Sequence, residues 1–195
     1  MQVDDSETRK YAFRTKLTVE LDDEAVVREL VLDGRSFAIN ESQHFNLKRR
    51  IASALSVDAN TSIFVVGSAK LGFSIAPSKR YIAFGDHSDI DVAVVDHTLY
   101  ERVWHEAHEY MESGADWPKK AGFEKYLAWG WIRPDMLPSA PTFSFSNQWW
   151  EVFRCLQSDR IAGPYKVSGA IYHDISFLIA YQKRAIALCR TEGTL

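Results

Sequence analysis

The sequence predicts a single α/β domain, α+β in its details, with a mixed β-sheet flanked by helices and with helical N- and C-terminal additions. Three observations carry this. "IFVV" (63–66) is a short, β-branched apolar run, as a strand buried on both faces requires. "DIDVAVV" (89–95) repeats the pattern behind two aspartates. Around these runs lie segments whose apolar residues recur at helical spacing, so strands and helices alternate along the chain.

Taken in order, "DDEAVVREL" (22–30) is a short helix opened by acidic residues, which suit a helix N-terminus. "ESQHFNLKRRIASAL" (41–55) sets Leu47, Ile51, Ala52 and Leu55 on one stripe, with Lys48, Arg49 and Arg50 largely outside it. "DANTS" (58–62) is a turn before the first strand. Residues 72–87 mix Gly, Pro and Ser with apolar residues and are expected to be mostly loop. A helix over 98–112 buries Leu99, Val103, Ala107, Tyr110 and Met111. Residues 118–141 are aromatic and broken by proline. "NQWWEVFRCL" (147–156) is a helix and "YKVSGAIYH" (165–173) a strand. A last helix over 174–190 faces Ile175, Leu178, Ile179, Ala185, Ile186 and Cys189 inward.

The 195 residues suit one domain, 1–195, with a core motif region over 61–112 and a C-terminal helical part over 143–190. Apolar residues make up 46% and charged ones 25%, which argues against long disorder. With 23 basic and 26 acidic residues there is no global basic field to grip a nucleic-acid backbone. Cys155 and Cys189, the only cysteines, form no C-x-x-C pair and read as reduced core thiols. The polar, acidic start "MQVDDSETRK" does not read as a secretory signal, and no apolar run reaches the roughly 20 residues of a membrane span. A cytoplasmic protein without membrane attachment is expected.

The chemistry is concentrated between 65 and 96. Asp89 and Asp91, at i and i+2 of a strand, point to one face, where two carboxylates repel unless a cation stands between them. They are expected to bind Mg²⁺ or Mn²⁺, hard cations that take oxygen ligands and share the rest of their shell with phosphate and water. Gly67, directly after the first strand, allows close backbone approach to a phosphate, and the Ser68 hydroxyl adds a donor. Lys70, Lys79 and Arg80 lie on the connection and supply positive charge. Such a set suits in-line attack on the α-phosphate of a nucleotide, with pyrophosphate leaving.

"IFVVGS" followed by "SDIDVAVVD" resembles the DNA polymerase β-like nucleotidyltransferase superfamily, whose signature is an apolar strand, Gly-Ser, an intervening segment and Asp-x-Asp on the next strand. The pattern "GSAKLGFS…SDIDVAV" is most similar to small stand-alone bacterial members. The resemblance covers roughly 63–96. It implies a nucleotidyltransferase-type sheet, ATP or another NTP as donor, and a hydroxyl acceptor on a protein, a tRNA or other RNA end, or a small molecule. Two departures stand out. The 20 residues between Ser68 and Asp89 exceed the usual spacing and imply an inserted loop or lid. The third carboxylate of the family, on a later strand, has no clear counterpart; Asp174 is the nearest candidate, with Glu151 and Asp135 as residues that could fold back.

Several residues also have plainer readings. Asp174 directly precedes an apolar stripe and can be a helix N-cap, as Asp96 can for the helix after it. His105 and His108 fall off their stripe and are expected to face solvent. Trp129, Trp131, Trp149 and Trp150 suit core or groove wall better than base stacking. Three functions compete: a metal-dependent nucleotidyltransferase, a catalytically impaired nucleotide-binding partner in a toxin–antitoxin or phage-defence system with a protein partner encoded nearby, and an Asp-x-Asp glycosyltransferase.

Overall fold

A computed structural model of the chain describes residues 2–139 and 141–192. Helix α1 (Gln2–Val19) is followed by α2 (Asp23–Val26), which runs into a π-helical turn (Val27–Leu32), and by α3 (Glu41–Leu55). Strand β1 (Ile63–Val66) leads straight into the short α4 (Gly67–Leu71); β2 (Ile90–Val95) and α5 (His97–Glu112) come next. Then follow α6 (Lys120–Leu127), β3 (Trp131–Ile132), α7 (Ser144–Ser158), β4 (Val167–Tyr172) and α8 (Ile175–Glu192). The chain is thus mixed α/β with helices flanking one sheet.

The sheet order is β1-β2-β4-β3, with β2 antiparallel to β1, parallel to β4, and β3 antiparallel to β4. Alternation divides the strand residues between two cores. Ile63, Val65, Ile90, Val92, Val94, Val167 and Ile171 join the cluster under α3, α5 and α7. Val66, Ala93 and Tyr172 join the cluster under α1, α2, the π turn and α8. Burial on both faces is why β1 and β2 read as continuous apolar runs.

Helix starts follow their side chains. Asn40 and Gln43 form a reciprocal capping box at α3, and Asp96 Oδ1 accepts the Leu99 N–H at 2.8 Å at α5. The stripe expected on α3 is the buried one, and His105 and His108 are exposed. Helix α1 belongs to the expected helical N-terminal addition, although no apolar stripe marks its bounds in the sequence. Among its described side chains it buries only Ser6, Phe13 and Leu17. Within 118–141, described apart from residue 140, α6 and the short β3 stand where only proline-broken chain was expected.

The 72–87 segment, expected as loop, is an ordered arm. Tyr81 N–H donates to Ser74 O at 2.7 Å, Ser74 N–H to Ile82 O at 2.9 Å and Phe84 N–H to Gly72 O at 2.8 Å. A 3₁₀ turn (Pro77–Lys79) forms its tip. Helix α1 holds the arm's base: Ser6 Oγ donates to Gly72 O at 2.8 Å, and the Phe13 ring meets Phe73 edge-on at 5.3 Å.

Sheet and α7 meet at Gly169, where an added Cβ would stand 2.9 Å from Phe153 Cζ and 3.1 Å from the Val92 carbonyl oxygen. Phe153 is itself stacked on Trp149 at 4.3 Å between centroids, so it has little room to yield. Gly169→Ala is expected to lower stability by about 1–3 kcal/mol through overpacking. Urea denaturation measures this; an unchanged midpoint would show that the stack shifts freely.

Candidate functional site

At the end of the sheet where β2 begins, a cleft of about 720 Å³ opens. Its floor is one rung of the sheet, Val66–Asp91–Ser168, because Asp91 pairs with Val66 on one side and Ser168 on the other. Asp91 shares its face with Ala93, in the core that α8 covers. At the Asp91 rung the carboxylate lines the cleft.

Immediately after Val66 the chain turns through Gly67 at φ +66°, a conformation that L side chains rarely adopt. Glycine is demanded twice, since a Cβ there would lie 2.9 Å from Asp91 Oδ2. The turn thus stands directly against the carboxylate, although 23 residues separate the two. The other oxygen of Asp91, Oδ1, accepts the Ser168 hydroxyl at 2.7 Å. Burial pushes the Asp91 pKa above the ordinary carboxylate value, and the charge of Asp89 pushes it further; the Ser168 hydrogen bond and Lys79 act in the opposite sense.

Of the residues singled out in the sequence, Gly67, Ser68, Lys79, Asp89 and Asp91 all line this cleft. Lys79 comes from the tip of the arm. Three others do not line it. Lys70 turns into the protein, 4% exposed, and donates to the carbonyls of Asp33 and of Gly34, the latter at 2.6 Å. Desolvation lowers its pKa to about 8. Arg80 turns toward α8, where its charge partly offsets the burial that pushes the Cys189 thiol up. Asp174 is the N-cap of α8, its Oδ1 accepting the Ser176 N–H at 2.8 Å, and those bonds hold its pKa down. It lies six residues beyond Ser168, about 20 Å farther along β4 at ~3.3 Å per residue.

The third carboxylate is therefore not Asp174. Glu151 is exposed on α7 and pairs with Arg154. Asp135 does line the cleft, but Arg133 Nε and Nη2 engage its two oxygens at 3.0 and 3.2 Å. Among the described residues Asp89 and Asp91 belong to no trio of His, Cys, Asp or Glu whose ligand atoms all lie within 4.8 Å of one another. Beside Asp91 on the neighbouring strand stands a hydroxyl, Ser168.

The walls are aromatic and were assigned by sequence to core or groove without distinction. Trp131 and Tyr172 stack at 5.5 Å with their planes 5° apart. Both line the cleft, as do Trp149, Trp150, Phe153 and Tyr181. Trp129, on the α6–β3 turn, does not. Arg133 and Lys166 add positive charge that the sequence reading did not single out. Their only signal was proximity to "WIRPD" and "YKVSG", neither of which names a ligand.

Two carboxylates lining one cleft, a glycine turn against one of them, and cations around it could accommodate a divalent cation with phosphate oxygens. No protein-family model, curated protein or solved structure matches the chain.

Asp174→Ala is expected to lower stability by roughly 0.5–2 kcal/mol, as loss of an N-cap does, and to leave ligand affinity in the cleft unchanged. Denaturation and calorimetry on the same sample separate the two effects.

Asp91 gives a pH-dependent expectation. Its folded-state pKa is raised, so the folded chain holds the proton more tightly than the unfolded one. Stability therefore falls as pH rises from the ordinary carboxylate value through the folded value, and the full penalty is present at neutral pH. Asp91→Asn should raise the denaturation midpoint at about pH 7 and raise it less at about pH 4, near the unperturbed Asp pKa. Equal gains at both pH values would mean that the charge is not penalised.

Proposed function

We propose that the chain is a metal-dependent nucleotidyltransferase that moves a nucleoside monophosphate from an NTP to a hydroxyl acceptor and releases pyrophosphate. The observation that carries this reading is the contact of Gly67 with Asp91, which joins the glycine turn and the carboxylates in one cleft.

Asp89 and Asp91 would hold Mg²⁺ or Mn²⁺, which when bound neutralises phosphate charge and favours departure of pyrophosphate. The Gly67–Ser68 backbone N–H groups and the Ser68 hydroxyl donate to phosphate oxygens, where charge-assisted bonds are strongest. Lys79, carried by the arm, contributes a cation at the rim. The aromatic walls offer flat apolar surface for a base. Ser168 orients Asp91 by donating to Oδ1, leaving Oδ2, beside the glycine turn, as the oxygen to meet a cation.

A second reading has its own observation. Where the superfamily pattern expects a third acid, the strand beside Asp91 carries Ser168, so no side chain there can take the proton of an acceptor hydroxyl. This favours a nucleotide-binding module without turnover.

One experiment separates the readings. The full chain is incubated with each α-labelled NTP, Mg²⁺ and cell lysate, and NTP affinity is measured alongside. Transfer of label that is lost in Asp89→Asn and in Asp91→Asn, with the fold retained, is the expected result. NTP binding without transfer, weakened at least tenfold by Gly67→Val, supports the binding module. Absence of NTP binding removes both.

A further inference from the structure

We propose that His97, Glu101 and His173 form a binding site for a first-row transition ion, Zn²⁺ foremost, at the opposite end of the sheet from the cleft. The three side chains can each present one ligand atom so that all lie within 4.8 Å of one another, the only such trio of His, Cys, Asp or Glu among the described residues. His97 Nδ1 and His173 Nε2 are 2.9 Å apart, and His97 Nε2 is 3.4 Å from Glu101 Oε2. Ligand atoms about 2.05 Å from a tetrahedral Zn²⁺ stand about 3.3 Å from each other; one nitrogen of His97 serves as ligand, and side-chain rotation of His97 and Glu101 draws the three atoms, already within 4.8 Å of one another, to that spacing.

The backbone fixes where the ligands stand. Strands β2 and β4 run parallel and end on the same rung, Val95 opposite Tyr172. Asp96 N–H donates to Tyr172 O at 3.1 Å, which sets the residues just past the two strand ends side by side. His97 opens α5, and Glu101 follows one turn later on the same side, at i+4. His173 is held by its own N–H, which donates to Gly130 O at 3.0 Å, and by the Tyr100 ring edge-on at 5.0 Å. Its Nδ1 is buried without a hydrogen-bond partner. The His173 imidazole is thus anchored by packing, and its polar contact is the one with His97, where an ion would bind.

Ligand chemistry selects the ion. Two imidazoles and one carboxylate suit Zn²⁺ and its neighbours Co²⁺, Ni²⁺ and Cu²⁺, whereas Mg²⁺ prefers oxygen alone. Three protein ligands, two of them exposed to solvent, leave the fourth position to water.

The site is independent of the nucleotide reading, and its test does not use activity. Zn²⁺ is titrated into the full chain by calorimetry in excess Mg²⁺, and Co²⁺ is followed by its visible absorption. The expected result is one ion per chain, with an intense tetrahedral Co²⁺ band and a rise in melting temperature on Zn²⁺ addition. His97→Gln and Glu101→Gln, both at exposed positions, should each weaken Zn²⁺ binding at least tenfold and remove the rise. Asp91→Asn should leave Zn²⁺ affinity unchanged. Undiminished Zn²⁺ affinity in His97→Gln, or no stoichiometric uptake by the unaltered chain, overturns the proposal.

Discussion

A carboxylate enclosed at the start of a central strand governs the architecture of this end of the molecule. Asp91 sits between two hydrogen-bonded neighbours, so its position is set by the sheet and cannot relax outward. Desolvation disfavours its charge, and one hydroxyl at 2.7 Å offsets only part of that cost. The residue after β1 must then lack a Cβ, because Oδ2 occupies that space. A positive φ at Gly67 turns the chain away from the sheet into α4, and the turn lines the cleft beside the carboxylate. One buried charge thereby dictates a glycine, a helix start and the mouth of the cleft.

The long segment between the turn and Asp89 is made useful by elements far from it in sequence. A bare excursion of this length would cost conformational entropy with little return. Here backbone hydrogen bonds across the arm, and α1 laid over its base through Ser6 and Phe13, hold the tip in place. Lys79 at that tip then contributes charge at a defined point on the cleft rim. Lys70 spends its own charge differently, clasping the loop after the π turn and tying α4 to the polypeptide that precedes α3.

Strands β1, β2 and β4 were legible because burial on both faces leaves unbroken β-branched runs, and the stripes of α3, α5 and α8 because each packs one face. Helix α1 was not, since Phe13 and Leu17 are its only buried apolar side chains among the described ones, too few for a stripe. Lys70 was misplaced for a simple reason. The stretch after Gly67 is helical, and residues two apart on a helix point about 200° apart, so Ser68 and Lys70 cannot both face the cleft. Arg80 is parted from Lys79 because the 3₁₀ turn ends at Lys79 and the backbone leaves it extended at Arg80, φ −57° and ψ 132°. The trio at the far end was hidden because His173 meets His97 only through the register of β2 with β4, which no local pattern displays.

The parallel pairing of β2 with β4 has a consequence for how the two ends of the sheet can differ. Parallel strands begin together and end together, so residues flanking their starts and residues flanking their ends form two separate clusters roughly 20 Å apart for six residues. At the start stand Asp89 and Asp91 with a hydroxyl beside them; at the end stand His97 and His173 with Glu101. Oxygen-only ligands favour hard cations that carry phosphate, and imidazoles favour borderline ions that hold their ligands in fixed directions. A single strand pair thus presents two ends of different ligand chemistry, set apart by the length of the strands between them.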